Sequence, residues 1–206
     1  MIHLYQCPHR QLCLPIFICD QFCFNFSSLH SIAAAHLCDC RQFEIFCQQK
    51  RDRSGNFTLF ESAAKTCADR GGRLARLSDE TTFKAVRDLI TSKGLHEKSC
   101  IPSYGFWIGI DDIGTEGTYV WADGFPSGEE ASDCTSSSTP YLNWAHSDKN
   151  PIPDNNTKKD EDHGQDCVQM WFRMGNDGQM DDEYCDLRPK GFICEYKNSC
   201  CCNESM

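Results

Sequence analysis

Apolar side chains recur with the spacing of an amphipathic helix in two stretches of the chain. In the first they fall at i, i+3, i+4 and i+7, namely Phe60, Ala63, Ala64 and Cys67. In the second they form a stripe of four, namely Phe83, Val86, Leu89 and Ile90. A Thr58-x-x-Glu61 capping box predicts the start of the first helix, and Ser78 is the predicted cap of the second. The chain should therefore contain two helices with one buried face each.

Six shorter stretches have the composition of β-strands. The first places Phe43, Ile45 and Cys47 at alternate positions, as a half-buried strand does. The other five are residues 72–77, 106–110, 118–121, 168–172 and 191–196. Residues 124–165 show little periodicity and are too many for an ordinary connection inside a domain, which predicts a long, functional loop region.

The last two predicted strands flank an acidic segment. A turn-forming stretch at 175–178 precedes Asp181, Asp182 and Glu183, so we expect these acids to be displayed on a loop. Cys167 and Cys185 lie near the ends of the segment and could clamp it into one shape. Such a clamp is typical of a binding loop.

Charge and cysteine content narrow the class of protein. The 206 residues include 20 Lys and Arg against 30 Asp and Glu, a formal net charge of −10, which disfavours a nucleic-acid partner and favours cations. The 16 cysteines approach the density of a disulfide scaffold, for which a reducing cytosol offers no role. Four N-x-S/T sites agree with secretion: Asn25, Asn56, Asn155 and Asn203. We expect a secreted, extracellular glycoprotein.

Three regions are expected along the chain. Residues 1–39 are either a leader that is removed, with an A-x-A-like site at 33–35, or a disordered extension that carries cysteines. The apolar run at 12–19 is too short to span a bilayer, and no transmembrane segment is predicted. Residues 40–198 form the predicted domain. Residues 199–206 are a cysteine-rich tail that could bridge to the extension or to another chain, giving a disulfide-linked oligomer.

The common enzyme motifs do not occur in the sequence. It contains no G-x-S-x-G elbow, no P-loop and no dinucleotide fingerprint. The acidic run at 160–166 lacks the spacing of a zinc or EF-hand site. We therefore expect a binding protein and no catalysis.

Several short motifs occur in the order of one known family. They are Phe60-x-x-Ala63-x-x-x-Cys67, Trp107-Ile108-Gly109-Ile110, Glu116-Gly117-x-x-x-Trp121-x-Asp123-Gly124, Asp166-Cys167-Val168 and Phe192-Ile193-Cys194-Glu195. In this order the chain resembles a long-loop C-type lectin-like domain over about residues 43–197. The resemblance implies an α+β fold in which two helices pack on small antiparallel sheets, with a long loop region and disulfide bonds.

The resemblance also implies which cysteines pair. It joins Cys67 to Cys194 and Cys167 to Cys185, and it suggests an extra hairpin bridge from Cys47 to Cys38 or Cys40. Cys100 and Cys134 are then left over and are expected to pair with each other.

Members of this family that bind sugars do so through Ca²⁺ held by loop oxygens. The matching positions here are Asp154, Gln165, Asp181 and Asp182, and an accessory metal site would use Asp112, Glu116 and Asp166. Because Ile152 offers no side-chain oxygen and Gln165 only a neutral one, we expect any Ca²⁺ to be bound weakly. The alternative is that these acids form a solvated loop face.

Two functions are consistent with these expectations. The first is extracellular carbohydrate binding, where Pro153-Asp154 favours galactose-type ligands by resemblance, and where Trp144 or Trp171 would stack on the sugar if exposed. The second is a calcium-independent, lectin-like module that binds a protein ligand or a lipid surface.

Overall fold

The computed structural model describes residues 16–18, 40–48, 59–122, 140–146, 152–157, 164–173, 175 and 177–198. It contains two helices, α1 at Phe60–Asp69 and α2 at Glu80–Ser92, among its described residues. The strands are β1 Ile16–Ile18, β2 Cys40–Phe46, β3 Arg73–Leu74, β4 Gly105–Asp111, β5 Val120–Trp121, β6 Cys167–Trp171, β7 Gln179–Glu183 and β8 Gly191–Asn198. The predicted α+β class is confirmed. No helix within these ranges is long and apolar enough to cross a membrane.

The strands form a sheet in the order β1-β2-β8-β4-β6-β7, with β3 beside β8 and β5 beside β4. The first long strand and the last are antiparallel neighbours from Cys40 opposite Asn198 to Phe46 opposite Phe192. One pairing differs from the antiparallel expectation, because β4 runs parallel to β8. Gly191 permits this close approach, since a Cβ there would lie 2.5 Å from the ring of Phe106.

Both helices begin differently from the sequence prediction. Leu59 is the N-cap of α1 and makes no side-chain cap, while Thr58 lies outside the described residues. The backbone N–H of Phe60 instead donates to the carbonyl of Cys185 at 3.1 Å. The cap of α2 is Asp79, one residue after the predicted Ser78, and its Oδ1 accepts from the N–H of Thr82 at 2.8 Å.

The helices bury the apolar stripes that were read from the sequence. Phe83, Val86 and Ile90 of α2 lie in one core cluster with strands β2, β4, β6 and β8. Phe60 and Ala63 of α1 lie in a second cluster around Trp107, whose ring meets that of Phe60 edge-on at 5.6 Å. Residues of β6 belong to both clusters and Met180 of β7 to the first, so the core holds the β6–β7 edge of the sheet, where the candidate site lies.

Three disulfide bonds occur among the described residues. Two join the pairs that the resemblance implied, Cys67 to Cys194 and Cys167 to Cys185. The third joins Cys47 to Cys100, so the expected bond from Cys100 to Cys134 is wrong, as is the bond from Cys47 to Cys38 or Cys40. The reason is local: the end of β2 runs beside the turns after α2, where the N–H of Gln48 donates to the carbonyl of Cys100 at 2.9 Å. Cys38 and Cys134 lie outside the described residues.

The acidic segment also departs from its prediction. Residues expected on an exposed loop form strand β7, and Asp182 and Glu183 are 1% and 3% exposed. Met180, fully buried and paired with Met170, fixes the register of this strand. The expectation of a solvated acidic face is therefore wrong at Asp182.

Candidate functional site

The candidate site lies on the hairpin of β6 and β7, where strand alternation decides which way each side chain points. Val168 pairs with Asp182, and Gln169 pairs with Asp181. Because successive residues of a strand face opposite sides, Asp181 and Asp182 point away from each other. The hairpin thus separates two carboxylates that the resemblance assigned to one site.

Asp182 faces the long loop. Its carboxylate accepts hydrogen bonds from the backbone N–H of Asp154, at 3.0 and 3.2 Å, and from that of Asn155, at 2.7 Å. Bonds of this kind are charge-assisted and stronger than neutral ones. They hold the segment 152–157, which contains a cis peptide bond between Ile152 and Pro153, against β7.

Gln165 joins the two arms of the loop, residues 152–157 and residues 164–165, to each other and to β7. Its backbone N–H donates to Oδ1 of Asn155 at 2.8 Å, and its Oε1 accepts from the N–H of Asn156 at 3.1 Å. Its Nε2 donates to the carbonyl of Asp182 at 3.0 Å. The structure therefore brings together three of the four residues predicted for the sugar site, although Asp154 contributes its backbone and keeps an exposed side chain.

Asp181, the fourth predicted residue, lies on the other face of the hairpin. Its Oδ2 accepts from Nε2 of Gln169 at 2.8 Å. Burial, and then the charge of neighbouring Asp182, raises the pKa of Asp181 to about 7. Burial likewise raises the pKa of Asp182 to about 6, although the N–H donors of Asn155 and Asp154 oppose the shift.

Glu183 shares the face of Asp181 but has a structural role. Its carboxylate accepts from Nζ of Lys190 at 2.9 Å and from the guanidinium of Arg188 at 3.2 Å. Burial alone would raise the pKa of Glu183, but the Lys190 ammonium lowers it below its ordinary value. This ion pair links the end of β7 to the start of β8.

The three residues predicted for the accessory metal site surround the turn after β4. Oδ2 of Asp112 accepts from the N–H of Gly117 at 2.8 Å. The backbone N–H of Asp112 donates to the carbonyl of Asp166 at 3.0 Å. Glu116 is exposed. Tyr119 reaches into this group, and its pKa is raised by burial and by four carboxylates, those of Asp182, Asp112, Glu116 and Asp166. The phenol therefore stays neutral.

A calcium ion takes six to eight oxygen ligands, and the sugar position does not provide them. Both oxygens of Asp182 already accept N–H donors, and Gln165 presents an N–H to β7. In the described ranges no three His, Cys, Asp or Glu side chains are grouped as a metal site. At the accessory position a cation could contact the buried Oδ1 of Asp112, which accepts no hydrogen bond from the described residues.

The two tryptophans considered as sugar platforms are both half-buried. Trp144 packs edge-on against Tyr119 with ring centroids 4.7 Å apart, and its backbone forms a bridge with Met180 of β7. Trp144 therefore supports the site from inside.

The sequence analysis missed Tyr119 and Asn156 as parts of the site. Tyr119 lies in a predicted strand, and although Asp112, Glu116 and Asp166 were predicted as one site, nothing in the sequence places the Tyr119 side chain among them or beside Asp182. Oδ1 of Asn156 accepts from the hydroxyl of Tyr184 at 3.2 Å, a contact between residues 28 positions apart. Only the folded chain reveals such a contact.

Comparison with known families agrees with this architecture. The family model described as the lectin C-type domain matches residues 58–196, from just before α1 to within β8. The chain belongs to the C-type lectin domain family.

Two relatives and one solved structure illustrate the similarity. A perlucin-like protein of Mytilus galloprovincialis is 26% identical over 135 residues, which cover 66% of this chain and 68% of the relative. Collectin-10 of Gallus gallus is 31% identical over 137 residues, which cover 66% of this chain but 38% of the relative. The human scavenger receptor C-type lectin carbohydrate-recognition domain has a TM-score of 0.51 at 21% identity, covering 77% of this chain and 92% of that domain. This last likeness concerns the fold alone.

Proposed function

We propose that this chain is an extracellular carbohydrate-recognition domain that binds a glycan, of galactose type, on the face formed by residues 152–157, Gln165 and β7. Family membership supports a carbohydrate ligand, since the C-type lectin family is in general a family of carbohydrate-binding lectins. The choice of face rests on one observation, the convergence of Asp154, Gln165 and Asp182 in one hydrogen-bonded group.

The proposed location and chemistry follow from the same residues. Three disulfide bonds persist only in an oxidising compartment, which supports secretion. The exposed carboxylate of Asp154 offers acceptors to sugar hydroxyls, and Pro153 precedes it as in galactose-binding members of the family. The proposal contains no catalytic step and assigns calcium no more than a weak role.

Affinity chromatography tests this proposal directly. We expect retention on a galactose resin to exceed retention on a mannose resin, and Asp154→Ala to reduce it because the variant removes the exposed acceptor. Asp177→Ala, which removes an exposed carboxylate near the opposite end of β7, is the matched control and should bind normally. Stronger retention on mannose would overturn the specificity, and no retention on either resin or on a glycan array would overturn carbohydrate binding.

A second candidate function, binding of a lipid or protein surface without calcium, is supported by two exposed apolar side chains beside the site. Ile113 and Val120 are 60% and 46% exposed, and Val120 pairs with Asp111, two residues before Ile113. Co-sedimentation with phosphatidylcholine vesicles that Ile113→Ser abolishes, in a protein that binds no glycan, would favour this candidate.

A further inference from the structure

Asp182 carries a buried charge, and a buried carboxylate must be compensated by hydrogen bonds or by a cation. Only 1% of the residue is exposed. The compensation comes from two backbone N–H groups of consecutive residues, Asp154 and Asn155, which approach to between 2.7 and 3.2 Å. The chain thus supplies positive partial charge where a cation would otherwise be needed.

The next backbone N–H of the loop, that of Asn156, also donates to a side chain on another segment. It donates to Oε1 of Gln165, and the backbone N–H of Gln165 donates in turn to Oδ1 of Asn155. Three successive amides, at 154, 155 and 156, therefore donate to side chains of β7 and of the returning arm. Gly164 allows the two arms to meet, because a Cβ there would lie 1.9 Å from Oδ1 of Asn155.

A cation bound to Asp182 would need the oxygens that now accept these N–H groups. Calcium is held by oxygen lone pairs, and the three N–H contacts of Asp154 and Asn155 use most of the lone-pair sites on the two oxygens of Asp182. The Nε2 of Gln165 is a donor and cannot be a ligand, and Asp181 faces Gln169 on the far side of the hairpin. The network satisfies Asp182 in a way that competes with metal.

We propose that Asp182 is a cation-independent latch, in which the backbone amides of Asp154 and Asn155 take the place of calcium and hold the loop 152–157 closed. The latch is a property of the loop itself. Its consequence for ligand binding rests on the function proposed above: a glycan bound at this face would remain bound in EDTA.

Amide hydrogen exchange tests the latch without any ligand. In wild-type protein we expect the amides of Asp154, Asn155 and Asn156 to be protected to the same degree in excess EDTA and in millimolar calcium. Protection that appears only in calcium would overturn the proposal. This measurement needs no variant, so it remains decisive even if substitutions impair folding.

Two neighbouring carboxylates provide a matched pair of variants. Asp182→Ala removes both acceptor oxygens, and we expect exchange at 154 and 155 to accelerate by roughly tenfold or more. Asp181→Ala is the control, since its side chain lies on the other face and contacts Gln169 there, and it should leave these amides protected. Equal acceleration in both variants, or in neither, would overturn the latch.

Ligand binding separates the two proposals. Loss of glycan binding in EDTA with loop amides still protected would contradict the consequence for ligands but not the latch. Absence of glycan binding under all conditions would contradict the proposed function, and the exchange result would stand by itself.

Discussion

Asp181 and Asp182 are the same residue type at adjacent positions, and their environments give them different chemistry. The carboxylate of Asp182 accepts from two backbone N–H donors, those of Asp154 and Asn155. The carboxylate of Asp181 accepts from one side-chain donor, Nε2 of Gln169. Burial raises both pKa values, and Asp182, which accepts more hydrogen bonds, keeps the lower one. Asp181 is therefore the site at which protonation should matter most for stability.

The first prediction concerns that protonation. The folded pKa of Asp181, about 7, lies above its ordinary value of 3.8, so the folded protein binds this proton more tightly than the unfolded chain does. Stability should then fall as the pH rises from about 4 to 7. Asp181→Asn removes the contribution of Asp181 to this fall, leaves the smaller one of Asp182, whose pKa is about 6, and keeps an acceptor for Gln169.

Urea unfolding at several pH values measures the effect. Above pH 7 we expect the variant to be more stable than wild type by on the order of 4 kcal/mol, which is the difference between a pKa of about 7 and one of 3.8 converted to free energy, and near pH 4 the two should be equal. A variant that is less stable at high pH would show that the charged form of Asp181 is the one the fold needs.

The second prediction concerns the N-x-T site at Asn155. Its Oδ1 accepts from the N–H of Gln165, and a Cβ at Gly164 would lie 1.9 Å from that oxygen, so the two arms pack closely at Asn155. Since a glycan attached to the Asn155 amide requires space at this junction, we expect Asn155 to be unglycosylated when the protein is expressed through the secretory pathway. Glycopeptide mass spectrometry measures its occupancy.

Thr157→Ala is the control for this prediction, because it removes the acceptor motif and leaves Asn155 in place. We expect it to leave secretion unchanged, and the peptide that contains Asn155 should carry no glycan mass in either protein. High occupancy of Asn155 in protein whose loop amides are still protected would contradict the argument.

At the scale of elements, the sequence predicted what apolar periodicity controls and missed what long-range contacts control. The stripes of α1 and α2 and the positions of β2, β4, β6 and β8 were predicted, because each element has a one-sided or continuous apolar pattern. Strand β7 was missed because Asp and Glu are depleted in strands, and only pairing with β6 reveals why Asp182 is tolerated there.

The site divides along the same line. Three predicted residues, Asp154, Gln165 and Asp182, do converge. The resemblance could assign these positions because the family's motifs occur here in the same order. That Asp154 would use its backbone, and that Asp181 would face away, depends on register and loop conformation. Pairing by parity failed for Cys100 because Cys47 is brought beside it by the course of β2.

The third prediction tests the two loop arms together. Gln165→Glu removes the Nε2 donor to Asp182 and places a second carboxylate near Oε1 of Glu183, which is now 3.4 Å from that nitrogen. In EDTA we expect a loss of about 1–3 kcal/mol in the free energy of unfolding. Glu116→Gln, an exposed and charge-changing control, should have little effect.

Adding Ile152→Glu to Gln165→Glu supplies the oxygens that the loop lacks. We expect calcium to stabilise this double variant in a thermal melt and to leave the wild type unchanged, because binding to the folded state alone raises stability. Equal responses of the two proteins to calcium would contradict the assignment of Ile152 and Gln165 as the residues that exclude the ion.

At the scale of the whole molecule, the ends of the domain are held together twice. β2 and β8 pair along their full overlap, and Cys67 of α1 is bonded to Cys194 of β8 across 127 residues. The Cys167–Cys185 bond closes 18 residues around the hairpin that carries the latch. The first bond thus closes most of the domain, and the second restrains the site.

The last prediction follows from these loop lengths. Loop-closure entropy gives about 5 kcal/mol for the longer loop and about 3 kcal/mol for the shorter one, so the Cys67→Ala/Cys194→Ala double variant should lose more unfolding free energy than Cys167→Ala/Cys185→Ala. The shorter loop should instead dominate local opening, because it closes the hairpin that carries Asp182, the acceptor of the loop amides. Urea unfolding measures the global term and amide exchange at 154–156 the local one. If both variants lost the same global stability and the same loop protection, the two bonds would not divide the molecule in this way, and the site would share the stability of the whole domain.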